Sequence, residues 1–255
     1  MSGATRSLIS FMPVTTLTLL QFSNGKAVRF VAFFSALPAL FAIIFTISST
    51  DDTATDFMHD ITLGIVLGTL LPIATLILAT TAFRDEIEDR TMVYLILKPV
   101  SRFRLVAEKY LAVVLVTALS LWVGMILAWF IVGVIATSEL LDTVEVLVAA
   151  LVTVLVGVML YGAVFLAVSL VIPRALVVGI IYTLIWESLF SRLIPGVWVM
   201  SLRHYVDSVY YRLVDDATLN MSNALQLYSA LPLITVVIVV ALGLTTLRLR
   251  TMDFE

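Results

Sequence analysis

The chain has 255 residues, of which 61% are hydrophobic and only 13% are charged, with a formal net charge of −3. Soluble domains are about 45–50% apolar and about 25% charged, so this composition excludes a soluble globular protein and predicts a polytopic membrane protein. The absence of cysteine excludes disulfides, cysteine-ligated metals and thiol chemistry.

The N-terminal 22 residues contain one arginine, Arg6, and an apolar stretch that several threonines dilute. A cleaved signal peptide would need a small-residue cleavage site, and no such site follows the apolar stretch. We therefore predict an uncleaved interfacial segment that leads into the first membrane span.

Six later runs are long and apolar enough to cross a bilayer as helices, since a crossing of about 30 Å needs about 20 residues. Only a helix satisfies its own backbone hydrogen bonds in lipid. The predicted spans, numbered one to six, are Val28–Ile47, Ile61–Phe83, Tyr110–Ala136, Val144–Ile172, Ala175–Leu193 and Tyr228–Leu247. The fourth must tilt or protrude. The fifth reaches full length only when the run Ala175–Phe190 is extended to Leu193. These spans use most of the chain, so we expect a single transmembrane domain over residues 1–255.

Lysines and arginines lie mostly on one side of these spans. Twelve of the 15 lie before or at the start of span one, after span six, or in the loops between spans two and three and between spans four and five. The other three are Arg192, Arg203 and Arg212, all before span six. The positive-inside rule therefore predicts that both termini lie in the cytoplasm. We expect a multi-pass protein of the cell (plasma or inner) membrane.

The connection from Glu187 to Leu227 is too polar to span the membrane and too apolar for a free loop. Its aromatic residues suit the outer membrane interface: Trp198, Tyr205, Tyr210 and Tyr211, with Trp186 just before them. We predict one or two short helices that enter the membrane partway and are broken at Pro195-Gly196. The alternative is an ordinary amphipathic surface loop.

Motifs for chemistry are absent from the sequence. It contains no P-loop and no G-x-S-x-G nucleophile elbow. His59 and His204 lack metal-ligand spacing and are interpreted as solvated or interfacial. The spans hold almost no ionisable residues, which disfavours an ion-driven transporter, and Gly64 and Gly68 permit close helix approach. We predict no catalytic, metal or cofactor site on this chain and no nucleic-acid partner.

One polar stretch lies between spans two and three, from Asp85 to Arg104, and has the sequence DEIEDRTMVYLILKPVSRFR. Glu86 and Arg90 can pair at i, i+4. From Arg90 the pattern is amphipathic at the helical period, and one face carries Arg90, Thr91, Tyr94 and Lys98. Pro99 ends this helix, and Ser101 is placed to cap the next one.

The pattern predicts a short helix lying across the cytoplasmic membrane surface. A basic loop resting on anionic lipid is the alternative, but it does not explain the acidic residues Asp85, Glu86, Glu88 and Asp89. A protein partner explains charges of both signs.

The segment from Glu86 to Tyr110 resembles the signature region of the type-2 ATP-binding-cassette (ABC) permeases. In that family an acidic run of the form E-x-E-x-G-T-L ends the second span, and leucines, a [KR]-P-[VI]-S-R turn and a later lysine follow. The matching residues are Glu86, Glu88, Thr91, Leu95, Leu97, Lys98, Pro99, Val100, Ser101, Arg102 and Lys109. Arg90 departs from the pattern, since the family usually has glycine there.

The resemblance implies that the helix between spans two and three is a coupling helix, which docks on a separate ATPase subunit. It also implies an exporter with two ABC ATPase subunits, which carry ATP and Mg²⁺, and a second permease copy in the lipid bilayer. The expected coupling residues are Glu86, Glu88, Arg90, Thr91, Tyr94, Lys98, Pro99, Ser101 and Arg102.

Two other functions stay open. One is a membrane anchor or recruitment platform that holds a cytoplasmic partner without transport of its own. The other is an intramembrane enzyme, which the missing nucleophile and metal ligands disfavour. The apolar spans favour a lipid-like or amphipathic cargo, or mechanical work on an outer partner, over a small ion.

Overall fold

The computed structural model describes residues 15, 18, 22, 25–48, 53–88, 101–135, 140–172, 174–185, 201–214 and 224–251. For residues 84–88, 134–135 and 140–142 it describes the backbone alone. The described part of the chain is helical and contains no β-strand. The prediction of an all-α, polytopic membrane fold is confirmed.

The helices are numbered in chain order, and one segment is a π-helix. They are α1 (Lys26–Ser35), α2 (Leu37–Ile47), α3 (Ala54–Asp60), the π segment (Ile61–Leu70), α4 (Leu71–Glu88), α5 (Arg102–Ile135), α6 (Leu140–Val171), α7 (Ala175–Ile181), α8 (Leu202–Val214) and α9 (Leu227–Thr251).

Five helical stretches within the described ranges are long and apolar enough to cross a membrane. They are Lys26–Ile47, Ala54–Phe83, Arg102–Gly133, Thr143–Val171 and Leu227–Thr251. They correspond to predicted spans one, two, three, four and six, and a shorter apolar helix, Ala175–Ile185, begins where span five was predicted. The rest of predicted span five, and Pro195-Gly196, lie outside the described residues.

Two helices begin before the predicted start of their span. The helix of span two begins at Ala54, ahead of the predicted span start at Ile61, and the helix of span three begins at Arg102, ahead of Tyr110. Each helix starts at a side-chain cap in the polar sequence before the apolar run. Thr53, for example, accepts a hydrogen bond from the Asp56 backbone N–H at 3.1 Å. Hydrophobicity marks where a helix enters lipid, whereas the cap marks where it begins.

Helix α6 is the centre of the bundle, where it contacts α3, α4, α5, α7, α8 and α9. Its antiparallel neighbour α5 donates three hydrogen bonds from aromatic side chains along their shared length. These run from Tyr110 to the Met159 carbonyl (2.9 Å), from Trp122 to the Leu151 carbonyl (3.0 Å) and from Trp129 to the Thr143 hydroxyl (3.3 Å). The rings fill space between the helices while their polar tips find partners, which fixes the register of spans three and four.

Helix α8 packs inside the bundle at the level of the midpoint of span four. Gly157 is the midpoint of the fourth span, Thr143–Val171. A Cβ atom added at Gly157 would lie 2.7 Å from Leu71 of span two and 3.1 Å from Val206 of α8. This packing agrees with the predicted segment that enters the membrane partway, and it argues against an amphipathic surface loop.

Of the interpretation of both histidines as solvated or interfacial, the solvated alternative is wrong. The exposed fractions of His59 and His204 are only 2% and 6%. Nδ1 of His59 lies 2.8 Å from the hydroxyl oxygen of Tyr210. Both rings are buried because α8 inserts beside the start of span two, an arrangement that sequence spacing does not reveal.

The interior is also less free of charge than the apolar spans suggested. Glu108 and Lys109 lie inside span three as observed and are buried. Arg203 and Asp207 of α8 form an ion pair at 3.2 Å and are largely buried. Each of these charged residues lies near a helix end or on α8, outside the predicted spans. The composition of the predicted spans therefore does not reveal it.

Span one crosses span three close to the point where the helix of span one is interrupted, between α1 and α2. Pro38 lies in the first turn of α2 and has no N–H to continue the ladder from α1. Near this interruption, a Cβ atom added at Gly124 of α5 would overlap the Ser35 carbonyl oxygen. Only glycine therefore allows the two backbones to approach so closely.

We expect Gly124→Ala to lower the free energy of unfolding by about 1–3 kcal/mol, because the added methyl group meets backbone rather than a flexible side chain. Thermal unfolding of the purified protein in detergent measures this loss. Gly243→Ala is the matched control, since a Cβ atom there meets nothing within 4 Å and alanine favours the helix. Equal stability of the two variants would contradict the close crossing.

Candidate functional site at the ends of spans two and three

The structure describes the two borders of the polar stretch. Glu86 and Glu88 lie in the last turns of α4, of which the backbone is described, while Ser101 and Arg102 lie at the start of α5. Residues 89–100 lie outside the described residues, and they include Arg90, Thr91, Tyr94, Lys98 and Pro99. The short helix across the membrane surface therefore stays a prediction. We call this end of the bundle, where α4 and α9 end and α5 begins, the motif end.

Ser101 caps α5, as the sequence predicted. Its hydroxyl oxygen accepts a hydrogen bond from the Arg104 backbone N–H at 3.3 Å, and its carbonyl oxygen accepts one from Leu105 at 3.1 Å. The hydroxyl bond satisfies an N–H group that has no partner within the first helical turn, and the carbonyl bond is the first of the helical ladder. The polar stretch therefore joins span three at a defined residue.

Glu108 joins the N-terminal segment to span three. Its carboxylate accepts hydrogen bonds from the Arg104 guanidinium at 2.7 Å and from the Thr15 backbone N–H at 3.0 Å. A buried carboxylate is costly unless it is paired and hydrogen-bonded, and Glu108 is only 4% exposed. The described residues of the predicted interfacial segment, Thr15, Thr18 and Phe22, are all buried. The bundle thus covers part of that segment.

Lys109 joins the start of span three to the end of span two. Its side chain is fully buried, and its ammonium group donates a hydrogen bond to the Ala82 carbonyl oxygen. The same ammonium nitrogen lies 4.8 Å from the centroid of the Phe83 ring, within the range of a cation–π interaction. Ala82 and Phe83 lie two to three residues before the polar stretch, so Lys109 holds the helix that leads into that stretch.

Arg102 joins the same site to the last span. Its guanidinium donates a hydrogen bond to the Leu249 carbonyl oxygen at 2.7 Å, in the last turn of α9. Carbonyl groups at a helix C-terminus lack helical partners and carry the negative end of the dipole, so a cation is favoured there.

Together these contacts form one polar cluster at the motif end. Its members are Thr15, Ala82, Phe83, Arg102, Arg104, Glu108, Lys109 and Leu249. They hold spans two, three and six and the N-terminal segment together at both borders of residues 89–100. Of the predicted coupling residues, the structure places Arg102 in this cluster and Ser101 beside it.

Sequence reasoning missed part of this cluster. The Arg104–Glu108 pair has the i, i+4 spacing of a helical ion pair, so the sequence does carry its signal. The contacts of Glu108 with Thr15 and of Arg102 with Leu249 join residues 93 and 147 positions apart. No local pattern indicates contacts of that separation. Among the described residues, no group of three or more metal-ligating side chains is present.

Residues 25–189 match a family model described as ABC-2 family transporter protein. The match covers roughly two thirds of the chain, including spans one to four, α7 and the entire polar stretch. The chain belongs to the ABC-2 transporter family. A search of curated proteins found no match.

Membership confirms the resemblance inferred from the residues between Glu86 and Tyr110. An ABC-2 chain of this kind is a multi-pass permease, the membrane subunit of an ABC transporter, and is not itself the catalytic subunit. Permeases of this family work with ABC ATPase subunits in general.

We expect Glu108→Ala in this ABC-2 permease to cost about 1–3 kcal/mol of stability, because it leaves the buried Thr15 N–H without its acceptor. Glu108→Gln keeps an acceptor oxygen and should cost less. Thermal unfolding in detergent measures both.

The control is Glu145→Ala, which removes an exposed carboxylate from α6 and should change stability by no more than about 0.5 kcal/mol. If Glu108→Ala were as stable as Glu145→Ala, the polar cluster would not be holding the motif end together.

Proposed function

We propose that this permease is the transmembrane subunit of an ABC exporter in the cell membrane, with both termini in the cytoplasm. ATP hydrolysis on separate ATPase subunits drives it through a coupling helix around residues 86–102. ATP and Mg²⁺ bind on those subunits, and this chain carries no cofactor of its own.

One observation supports this function most strongly. The polar cluster ties both borders of residues 89–100 to spans two, three and six through Lys109 and Arg102. If the ends of this segment were loosely attached, a force applied by the ATPase would deform the segment and would not move the spans. With its borders held, a displacement of the segment is passed to three spans at once.

The charges of the polar stretch support docking on a protein. Acidic residues before Arg90 and basic residues from Lys98 to Arg104 offer a partner both signs of charge in a fixed order. Such an arrangement favours a specific register and a fast encounter. By the positive-inside rule the motif end faces the cytoplasm, where ATP and the ATPase are present. We propose an assembly of two permease copies with two ATPases.

The composition of the spans supports an amphipathic or lipid-like cargo. The observed spans expose large apolar side chains over much of their length. A path between two such permeases would be lined mainly by hydrocarbon, which suits a substrate with apolar surface better than a small hydrated ion.

The test is the double variant Arg90→Ala, Lys98→Ala in the full permease, reconstituted with its ATPase. We expect substrate-linked stimulation of ATP hydrolysis to fall by about tenfold or more, because two charged docking contacts are lost. The permease should still elute as a folded, monodisperse protein on size-exclusion chromatography.

The matched control is Arg248→Ala, Arg250→Ala, which removes the same charge from exposed positions at the same end of the bundle. It should keep coupled activity. Full coupling in the Arg90, Lys98 variant would refute the coupling assignment. An ATPase that binds the wild-type chain but never supports transport would favour a recruitment platform instead.

A further inference from the structure

A second buried contact joins helix α8 to span two, away from the motif end. The Arg203 guanidinium donates one hydrogen bond to the Leu63 carbonyl oxygen, at 3.0 Å, and another to the Asp207 carboxylate, at 3.2 Å. Leu63 belongs to the π segment of span two, whereas Arg203 and Asp207 belong to α8. A single planar cation therefore binds both a carboxylate on its own helix and a backbone carbonyl group of span two.

Gly68 makes room for this guanidinium. A Cβ atom added at Gly68 would lie 2.9 Å from Nη2 and 3.1 Å from Cζ of Arg203. Any side chain at this position would push the guanidinium away from the helix surface. Gly64 lies one turn earlier in the same segment, and a Cβ atom there would meet nothing within 4 Å. Of these two glycines, only Gly68 seats the arginine.

The contacted backbone is unusual. The π segment runs for ten residues, Ile61–Leu70, whereas π-helices are rare and mostly single turns that occur often at functional sites. A backbone of this kind persists when its surroundings stabilise it. The Arg203 guanidinium supplies such a partner, since it is hydrogen-bonded to Leu63, the third residue of the segment, and lies against Gly68, the eighth.

Further contacts hold α8 in place. Tyr210 of α8 contacts His59, just before the π segment, at 2.8 Å. On its other side, the Ser208 hydroxyl oxygen accepts a hydrogen bond from the Leu225 backbone N–H at 3.2 Å, beside the start of α9. Helix α8 is thus attached both to span two and to the segment that leads into the last span.

We propose that Arg203 is a positioning residue: seated on Gly68, it fastens α8 to the π segment so that the two move as one body. This contact is a property of the chain itself. Its consequence for transport rests on the proposed function. Span two runs from this contact to the polar stretch, so a displacement that begins at the motif end carries α8 with it.

The test compares two alanine variants of the full chain in lipid nanodiscs by hydrogen–deuterium exchange, without an ATPase. In Gly68→Ala we expect amide exchange to rise by about tenfold in both residues 61–70 and residues 202–214, because a charge-assisted contact between them is lost. Gly64→Ala adds the same methyl group to the same segment and should exchange no faster than the wild type.

Arg203→Lys provides a second variant that does not alter the π segment. A lysine keeps the charge but lacks the planar fork that reaches two partners in different directions. We expect faster exchange in the same two segments, to a smaller extent than in Gly68→Ala.

Equal exchange in Gly68→Ala and Gly64→Ala would overturn the proposal, as would faster exchange in only one of the two segments. If Gly68→Ala gave too little folded protein, the Arg203→Lys comparison would decide the same question. Because no ATPase is present, failure here leaves the coupling assignment untouched. An uncoupled Arg203→Lys permease with normal exchange would instead assign the residue a role other than fastening α8.

Discussion

Polar groups inside an apolar bundle must find their partners within the protein, because lipid offers none. Buried threonines meet this requirement locally: Thr62, Thr75, Thr117 and Thr153 each donate to the carbonyl group four residues earlier in the same span. Charged side chains cannot be satisfied so simply. They occur where another element supplies a backbone carbonyl or N–H group, and those contacts connect elements that are far apart in the chain.

Two of these places lie along span two. Lys109 donates to the Ala82 carbonyl near the motif end, and Arg203 donates to the Leu63 carbonyl in the π segment. The two acceptors lie 19 residues apart along span two, Ala54–Phe83. Span two is therefore held at two well-separated points by cations from other helices, one from span three and one from α8. A movement of span two along its axis must either break these contacts or carry the neighbouring helices with it.

The predictable features were those with local causes. Apolar runs indicated the spans, and the position of Ser101 before a helical sequence predicted its role as a cap. The features that were not predicted correctly depend on contacts between residues far apart in the chain. His59 was interpreted as solvated or interfacial although it is buried and contacts Tyr210, 151 positions away. Arg203 was counted only as an outer positive charge although its backbone acceptor is 140 positions away. The position of α8 decides both, and its amphipathic sequence is compatible with a surface loop as well as with a buried helix.

The two cations that hold span two are not interchangeable. Arg203 must reach Asp207 on its own helix and Leu63 on the next, which a planar guanidinium with several donors can do while lying flat over Gly68. Lys109 has one carbonyl acceptor and the Phe83 ring beside it, a site that suits the compact ammonium group. A larger, planar group would crowd the fully buried position of Lys109, and an ammonium at position 203 would lack the fixed planar set of donors that reaches both partners. Each of these two sites on span two is thus matched to the shape as well as to the charge of the side chain that holds it.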